Sequence, residues 1–343
     1  MSSTSQLTTF SDLYTDLMQR VRVSTSVTAT TEQAKRYINI ALQDIHLGFD
    51  YKLPWCEQEA YLRTKAPYTT GTVSATVGSD ILTGTSTVWT TTNEYGEANA
   101  RLNGKIIIAG STDVYRAGTI AASSITMYQK FIGTANLTDA TYTYFEDEYT
   151  LASAFLRPVD FRVFSPAMNI ELISRAEFRR KYPVVNISGK PRVGCIIEST
   201  SSINGTFPIR KILLHPYPDK AYMIPYTYIS SILATTSAGG NLLSMASDTD
   251  TPIMPLRYRH AIIFHALSHW YRDKKDDSRA EQAKAEYTDI MMRIVSDHDI
   301  ATHTMAQIQP RSGNMNRHAF RPYSYRGGSR IYDLNNEFDA FRR

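Results

Sequence analysis

Residues 66–89, APYTTGTVSATVGSDILTGTSTVW, decide how the chain is to be read. They are rich in Thr, Ser and Gly and poor in helix formers, and their apolar residues come in short runs such as Thr72–Val77. The same style continues to Glu146. Lys105–Ala109, Val114–Ile120, Ile125–Tyr128 and Thr141–Phe145 are short apolar runs, set apart by Gly78-Ser79-Asp80, Asn103-Gly104 and Gly110-Ser111. Strands at this spacing predict a small antiparallel β-sandwich or barrel. Helical patterning lies on both sides, so 66–146 reads as an insertion, entered near Lys65 and left near Asp147.

Upstream, Phe10, Leu13, Leu17, Met18 and Val21 recur at helical spacing, which predicts a helix from Ser11 to about Val21 capped by Ser11 or Asp12. Thr30 and Gln33 make a capping-box pattern opening a second helix. Its stripe is Ala34, Tyr37, Ile38, Ala41, Leu42 and Ile45; Lys35, Arg36, Asn39, Gln43 and Asp44 read as its solvated face. Downstream, Ser174 and Glu177 open a short helix, and strands are expected at Arg192–Glu198, Arg210–His215 and Ala221–Leu233. The last two should pair across the turn Pro216–Lys220.

The strongest signals come near the C-terminus. Ala261–Ala266 is apolar nearly all round and predicts a buried helix. Ser278 and Glu281 then open a helix with one long stripe: Ala280, Ala283, Tyr287, Ile290, Ile294, His298, Ala301, Met305 and Ile308, ended by Pro310. Unbroken, it would run roughly 45 Å and carry the C-terminal 310–343 to one end of the molecule. The fold class expected is α+β: a helical-bundle core (1–65 and 147–309), the inserted β-domain (66–146) and an extended C-terminal arm (310–343).

The chain has 343 residues, 42% hydrophobic and 20% charged, with 37 basic and 33 acidic side chains. Such a balance suits a globular protein. No signal-type segment or apolar run of membrane-spanning length is read, so no membrane partner is expected. Cys56 and Cys195 have no metal-type spacing and read as buried, reduced thiols. Seven arginines against three carboxylates fall in 310–343, so the arm holds the entire net charge of +4.

Candidate chemistry is thin. His265 and His269 share a helical face, with His260 nearby, but Ala266 stands where a zinc-protease motif needs Glu. They read as packed or hydrogen-bonded, and His298 and His303 carry no metal role. Phosphate-binding glycine loops and a Gly-x-Ser-x-Gly elbow are missing. Glu146-Asp147-Glu148 reads as a solvated rim between insertion and core, and Arg175, Arg179, Arg180 and Lys181 as a polyanion-facing or simply solvated helix face. No catalytic residue, cofactor or metal is expected, and the chain reads as a non-enzyme.

The arm is where features reinforce one another. Arg317, Phe320, Arg321, Tyr323, Tyr325, Arg326, Arg330, Ile331 and Tyr332 interleave charge with apolar surface. They could hold single-stranded nucleic acid by charge and stacking, or an acidic protein surface by bidentate contacts. Leu334, Phe338 and Phe341 favour protein: they fall at i, i+4 and i+7, with acids early and Arg342-Arg343 last, in the order that suits a helix dipole.

The order of these parts resembles that of the tailed-bacteriophage head-to-tail adaptor (connector) proteins, of the tail-tubular or portal-adaptor type with an inserted β-domain. Leu53-Pro-Trp-Cys-Glu-Gln-Glu-Ala60 is similar to the Trp-containing step from helix to strand in that family. Gly71 to Trp89 resembles its inserted immunoglobulin-like domain, and Asp147-Glu-Tyr-Thr-Leu151 through Pro158-Val-Asp-Phe161 its re-entry into the core. The resemblance implies a structural virion protein forming a ring, dodecameric with neighbouring copies of itself, in the head–tail neck. It implies docking beneath a portal protein, tail or nozzle proteins below, assembly in the host bacterial cytoplasm, and double-stranded DNA passing through the lumen without sequence-specific binding. It also implies that the C-terminal arm climbs onto the portal; fully extended, 310–343 reaches roughly 110 Å. A nucleic-acid-binding protein using the Arg/Tyr arm is the alternative, and a carbohydrate-binding or hydrolytic tail protein a weaker third.

Overall fold

The computed structural model describes residues 6–47, 53–163, 168–183, 186–198 and 209–304. The chain divides into two compact units, Met1–Val295 and Ser296–Arg343. The first holds every sheet and the helical layer; the described part of the second is the end of a helix.

Helices α1 (Phe10–Arg20) and α2 (Thr28–Leu47) come first, then strand β1 (Glu57–Arg63). Seven strands come next: β2 (Thr72–Ala75), β3 (Ile81–Thr85), β4 (Lys105–Ile108), β5 (Val114–Ile120), β6 (Ser124–Met127), β7 (Leu137–Ala140) and β8 (Tyr142–Phe145). After them stand β9 (Glu148–Thr150), β10 (Phe155–Val163), β11 (Met168–Asn169), β12 (Glu171–Leu172), α3 (Arg175–Lys181), β13 (Ser188–Gly189), β14 (Val193–Glu198), β15 (Arg210–His215), β16 (Tyr217–Pro218) and β17 (Met223–Ser230). Three short strands, β18 (Ala234–Thr235), β19 (Asn241–Leu242) and β20 (Thr251–Pro252), lead to α4 (His260–Asp273) and α5 (Asp277–Thr304).

Strands β2–β8 form one antiparallel sheet ordered β7-β2-β3-β6-β5-β4-β8. Its two edges, β7 and β8, are separated in sequence by Thr141 alone, so the sheet must curl until its edges meet. It is one rolled sheet, not the two packed sheets of a sandwich. Inside it Val73, Leu82, Trp89, Ile106, Ile108, Tyr115, Ile125, Phe131, Tyr142 and Tyr144 are buried. The Trp89 indole N–H donates to the Tyr142 hydroxyl at 2.8 Å, which itself donates to the Thr70 carbonyl. The buried indole thus keeps a partner, as low dielectric demands.

The remaining strands overturn the helical-bundle expectation. Outside the curled sheet the described residues hold thirteen strands, and these build a core of their own. β17 is the centre of the order β1-β17-β10-β11, pairing Tyr226 with Ala60 on one side and with Phe161 on the other. A second sheet, β12-β14-β15-β9, brings Ile212 and Leu214 against Phe155, Phe161, Ile224 and Tyr228. Phe161 and Tyr226 stack at 4.7 Å between centroids. The reason is physical: aromatic and β-branched runs such as Tyr226–Ile229 fill a pleated core, while long helices carry the louder periodic signal. Helices α1, α2, α4 and α5 form one layer, in which Leu13, Leu17, Ile38, Leu42, Ile262, Ala266, Met291 and Ile294 are buried together.

Three local expectations also change. β17 does not pair with β15, because Pro216-Tyr-Pro218 has too few N–H donors to continue a hairpin; Tyr217–Pro218 instead pairs with Ser188–Gly189. Thr9, not Ser11 or Asp12, caps α1, in a reciprocal bond with Asp12. The α5 cap is Asp276, whose Oδ1 accepts from the Arg279 amide, two residues before the expected Ser278.

Candidate functional site

The expected portal-binding set, Arg317, Phe320, Arg321, Tyr323, Tyr325, Arg326, Arg330, Ile331, Tyr332, Leu334, Phe338 and Phe341, lies outside the described residues. The described residues offer three places where polar or apolar groups gather.

The first is the junction of the curled sheet with the rest. Glu146, Asp147 and Glu148 are not a solvated rim: Glu146 and Asp147 are buried. They come directly after β8, so strand pairing carries them under the sheet. Arg101 meets Glu146 through Nε at 3.1 Å to both carboxylate oxygens, and Lys65 Nζ approaches Glu146 at 3.4 Å. Lys105 pairs with Asp147, and Arg116 with Glu148 at 3.3 Å. Arg101 also reaches Glu97, which bonds Arg63 at 3.1 Å. Burial pulls the Lys65 ammonium below its usual pKa, with Glu146 opposing. Burial acts to raise Glu97, but Arg63 and Arg101 outweigh it and hold that carboxyl low. Tyr144 is pushed up by burial, its hydroxyl donating to the Arg101 carbonyl and accepting from the Arg101 amide, both at 2.7 Å.

Of these groups Arg63, Glu97, Arg101, Glu146 and Glu148 line a polar cleft of about 370 Å³. Glu97, Glu146 and Glu148 each face a cation, so no carboxylate pair stands apart to work as acid and base. The arrangement fastens one sheet to another.

The second is apolar surface. Tyr61 (66% exposed) and Leu102 (62%) border that cleft, while Tyr128 (60%) and Ile132 (68%) stand out from the curled sheet. On α3 the run Arg175, Arg179, Arg180 and Lys181 is exposed, over the buried Phe178, with Lys181 bonded to Glu177 at 2.7 Å.

The third is between α2 and α4. His265 and His269, one turn apart, both present Nε2 to Oδ2 of Asp44, at 3.1 and 3.3 Å, and lie 3.4 Å from each other. Tyr287 stacks on His265 at 4.4 Å between centroids, and Tyr37 lies nearly parallel to His269. Among the described residues this is the one group of three side chains able to converge on a metal ion. The histidine pair is visible in the sequence at i,i+4. Asp44 is not, since its place on the polar face of α2 gives no hint of what packs opposite.

The solvated face expected on α2 is in fact divided. Asn39 exchanges two 2.9 Å hydrogen bonds with the Met245 backbone, and Lys35 pairs with Asp248 at 3.1 Å. Cys56 and Cys195 are both buried and free; burial pushes the Cys56 thiol up to about 12, which makes it unreactive near neutrality. Among the described residues no helix is long and apolar enough to cross a membrane.

No protein-family model matches the chain, and no curated protein matches it.

Proposed function

We propose that the chain is a non-enzymatic structural subunit of a head-to-tail adaptor ring in a tailed-phage virion, docking under the portal and joining it to the tail around the DNA channel. The observation that carries the assembly part is the exposed apolar surface: Tyr61, Leu102, Tyr128 and Ile132 are each more than half exposed. Scattered apolar residues need no explanation, but Tyr61 and Leu102, two large ones bordering one cleft, suit a surface that neighbouring copies cover. The paired charges in that cleft fasten the curled sheet to the strands beside it. Docking onto the portal rests on the sequence alone: on the adaptor-like order of elements and on the arm 310–343, with its seven arginines.

The test compares the full chain with a truncation after Gln309, each mixed with portal rings from the same virus and separated by sedimentation. The full chain should co-sediment with the portal and the truncation should not. Equal binding by both removes the role given to the arm. Binding of the full chain to oligonucleotide with a steep salt dependence, and none to portal, makes the arm a nucleic-acid binder instead.

A further inference from the structure

We propose that Asp44, His265 and His269 form a binding site for one divalent transition-metal ion of the zinc class, which pins α2 to α4 and completes its coordination with water or an outside ligand. The donor atoms are Asp44 Oδ2 and the two Nε2 atoms, on a nearly equilateral triangle with sides of 3.1, 3.3 and 3.4 Å. An ion about 2.0–2.1 Å from each donor in tetrahedral geometry keeps its donors about 3.3 Å apart. The triangle therefore needs almost no adjustment. An ion capping it stands off the donor plane and keeps at least one position open, on the side reached through Asp44, which is half exposed.

The donor chemistry narrows the ion. Two imidazoles and one carboxylate oxygen suit zinc, cobalt, nickel or copper, whereas magnesium and calcium need more oxygen. The rings are also held in place. Tyr37 lies within 6° of the plane of His269, and Tyr287 stacks on His265. Both histidines ride on a helix whose Ala261, Ile262 and Ala266 are fully buried, so the site stands on rigid elements.

Without an ion, two Nε2 atoms crowd one carboxylate oxygen and each other, and Nε2 of His265 cannot both donate to Asp44 and accept from His269. A cation removes that conflict, because all three donors then offer lone pairs to one point. One feature weakens binding: Nδ1 of His265 is buried with no hydrogen-bond partner, so its N–H lacks the acceptor that metal-ligating histidines usually have. Such an omission costs about 10- to 100-fold in affinity.

The test uses the full chain without an affinity tag, stripped of metal and titrated with Co2+ and then Zn2+. One equivalent of Co2+ should bind with the intense visible absorption of a tetrahedral site, and Zn2+ should displace it. His269→Gln and Asp44→Asn should each weaken binding at least tenfold, while His260→Gln should leave it unchanged. No binding at millimolar Zn2+, or equal affinity in all variants, overturns the proposal. X-ray absorption on the zinc form needs no variant: two imidazoles in the first shell agree with the site, and an all-oxygen shell contradicts it.

Discussion

Trp55 donates its indole N–H to Nε2 of His46 at 3.0 Å, while Nδ1 of the same ring lies 2.8 Å from the Leu42 carbonyl. Indole only donates, so Nε2 of His46 must accept and the ring proton must sit on Nδ1. A second proton would break the Trp55 bond inside the core where α2 ends. Burial lowers the His46 pKa to about 4 from 6.5, against the pull of the Leu42 carbonyl.

Between these two values the unfolded chain binds a proton that the folded chain refuses. The stability His46 contributes is therefore complete above pH 6.5 and lost as pH falls toward 4. The full effect is about 3 kcal/mol. Urea unfolding of the wild type and of His46→Gln at pH 7 and pH 4.5 isolates it from the carboxylates. The wild type should lose more stability across that interval than the variant; equal losses contradict the assignment.

Glu146 and Arg101 should not be equivalent, though they bond each other. Glu146→Gln leaves Lys65, itself buried, without its counter-charge, and breaking such a pair from one side costs about 3–5 kcal/mol. Arg101 is 40% exposed, so Glu146 keeps Lys65 and solvent reaches what is left when Arg101 is removed. Arg101→Ala should cost only about 1 kcal/mol. Chemical denaturation of the two variants checks the order, and a reversed order refutes it.

Gly104 is required by space. A Cβ there would collide with the Tyr144 hydroxyl and ring, and Tyr144 is held by two bonds to the Arg101 backbone. Gly104→Ala should cost about 3 kcal/mol. Gly240→Ala brings its methyl only to 3.1 Å of the Thr236 hydroxyl and should cost far less. Melting temperatures of the pair measure the difference.

Arg259 binds four carbonyls, of Leu7, Thr8, Pro252 and Met254, at 2.7–2.9 Å. One planar guanidinium spans them all; an ammonium cannot. Arg259→Lys should destabilise by about 2 kcal/mol and loosen the segment before α1 first. Amide hydrogen exchange at Phe10 and Ser11, whose N–H groups bond Asp250 and Asp248, should speed up by more than exchange in α4. A uniform change across both regions argues against a local clamp.

Individual helices and most strands of the curled sheet were legible in the sequence, the mostly β architecture was not, and the failures share a cause. The stripes of α1, α2, α4 and α5 could be read because several turns repeat one period. Five strand runs of the curled sheet were legible, but β3 and β7 were not, since Ile81–Thr85 buries only Leu82 and Leu137–Ala140 buries no residue fully. β1 is hidden further: Glu57–Arg63 is polar, with only Leu62 buried, and its strand state is imposed by pairing with β17. The bundle expectation failed because helices announce themselves over many residues while a core strand such as β17 does so over eight. Glu146-Asp147-Glu148 was misread because charge looks solvated until its partners, Arg101, Lys65, Lys105 and Arg116, are brought to it from distant sequence. Asp44 was missed at the histidine pair for the same reason.

The proposed adaptor role stands or falls on electron microscopy of the full chain mixed with phage portal rings. A closed ring of this chain seated beneath the portal is the expected result, with copies packed against one another through the apolar surface that includes Tyr61 and Leu102. Portal rings that stay bare, with the chain remaining monomeric at the same concentration, would contradict it.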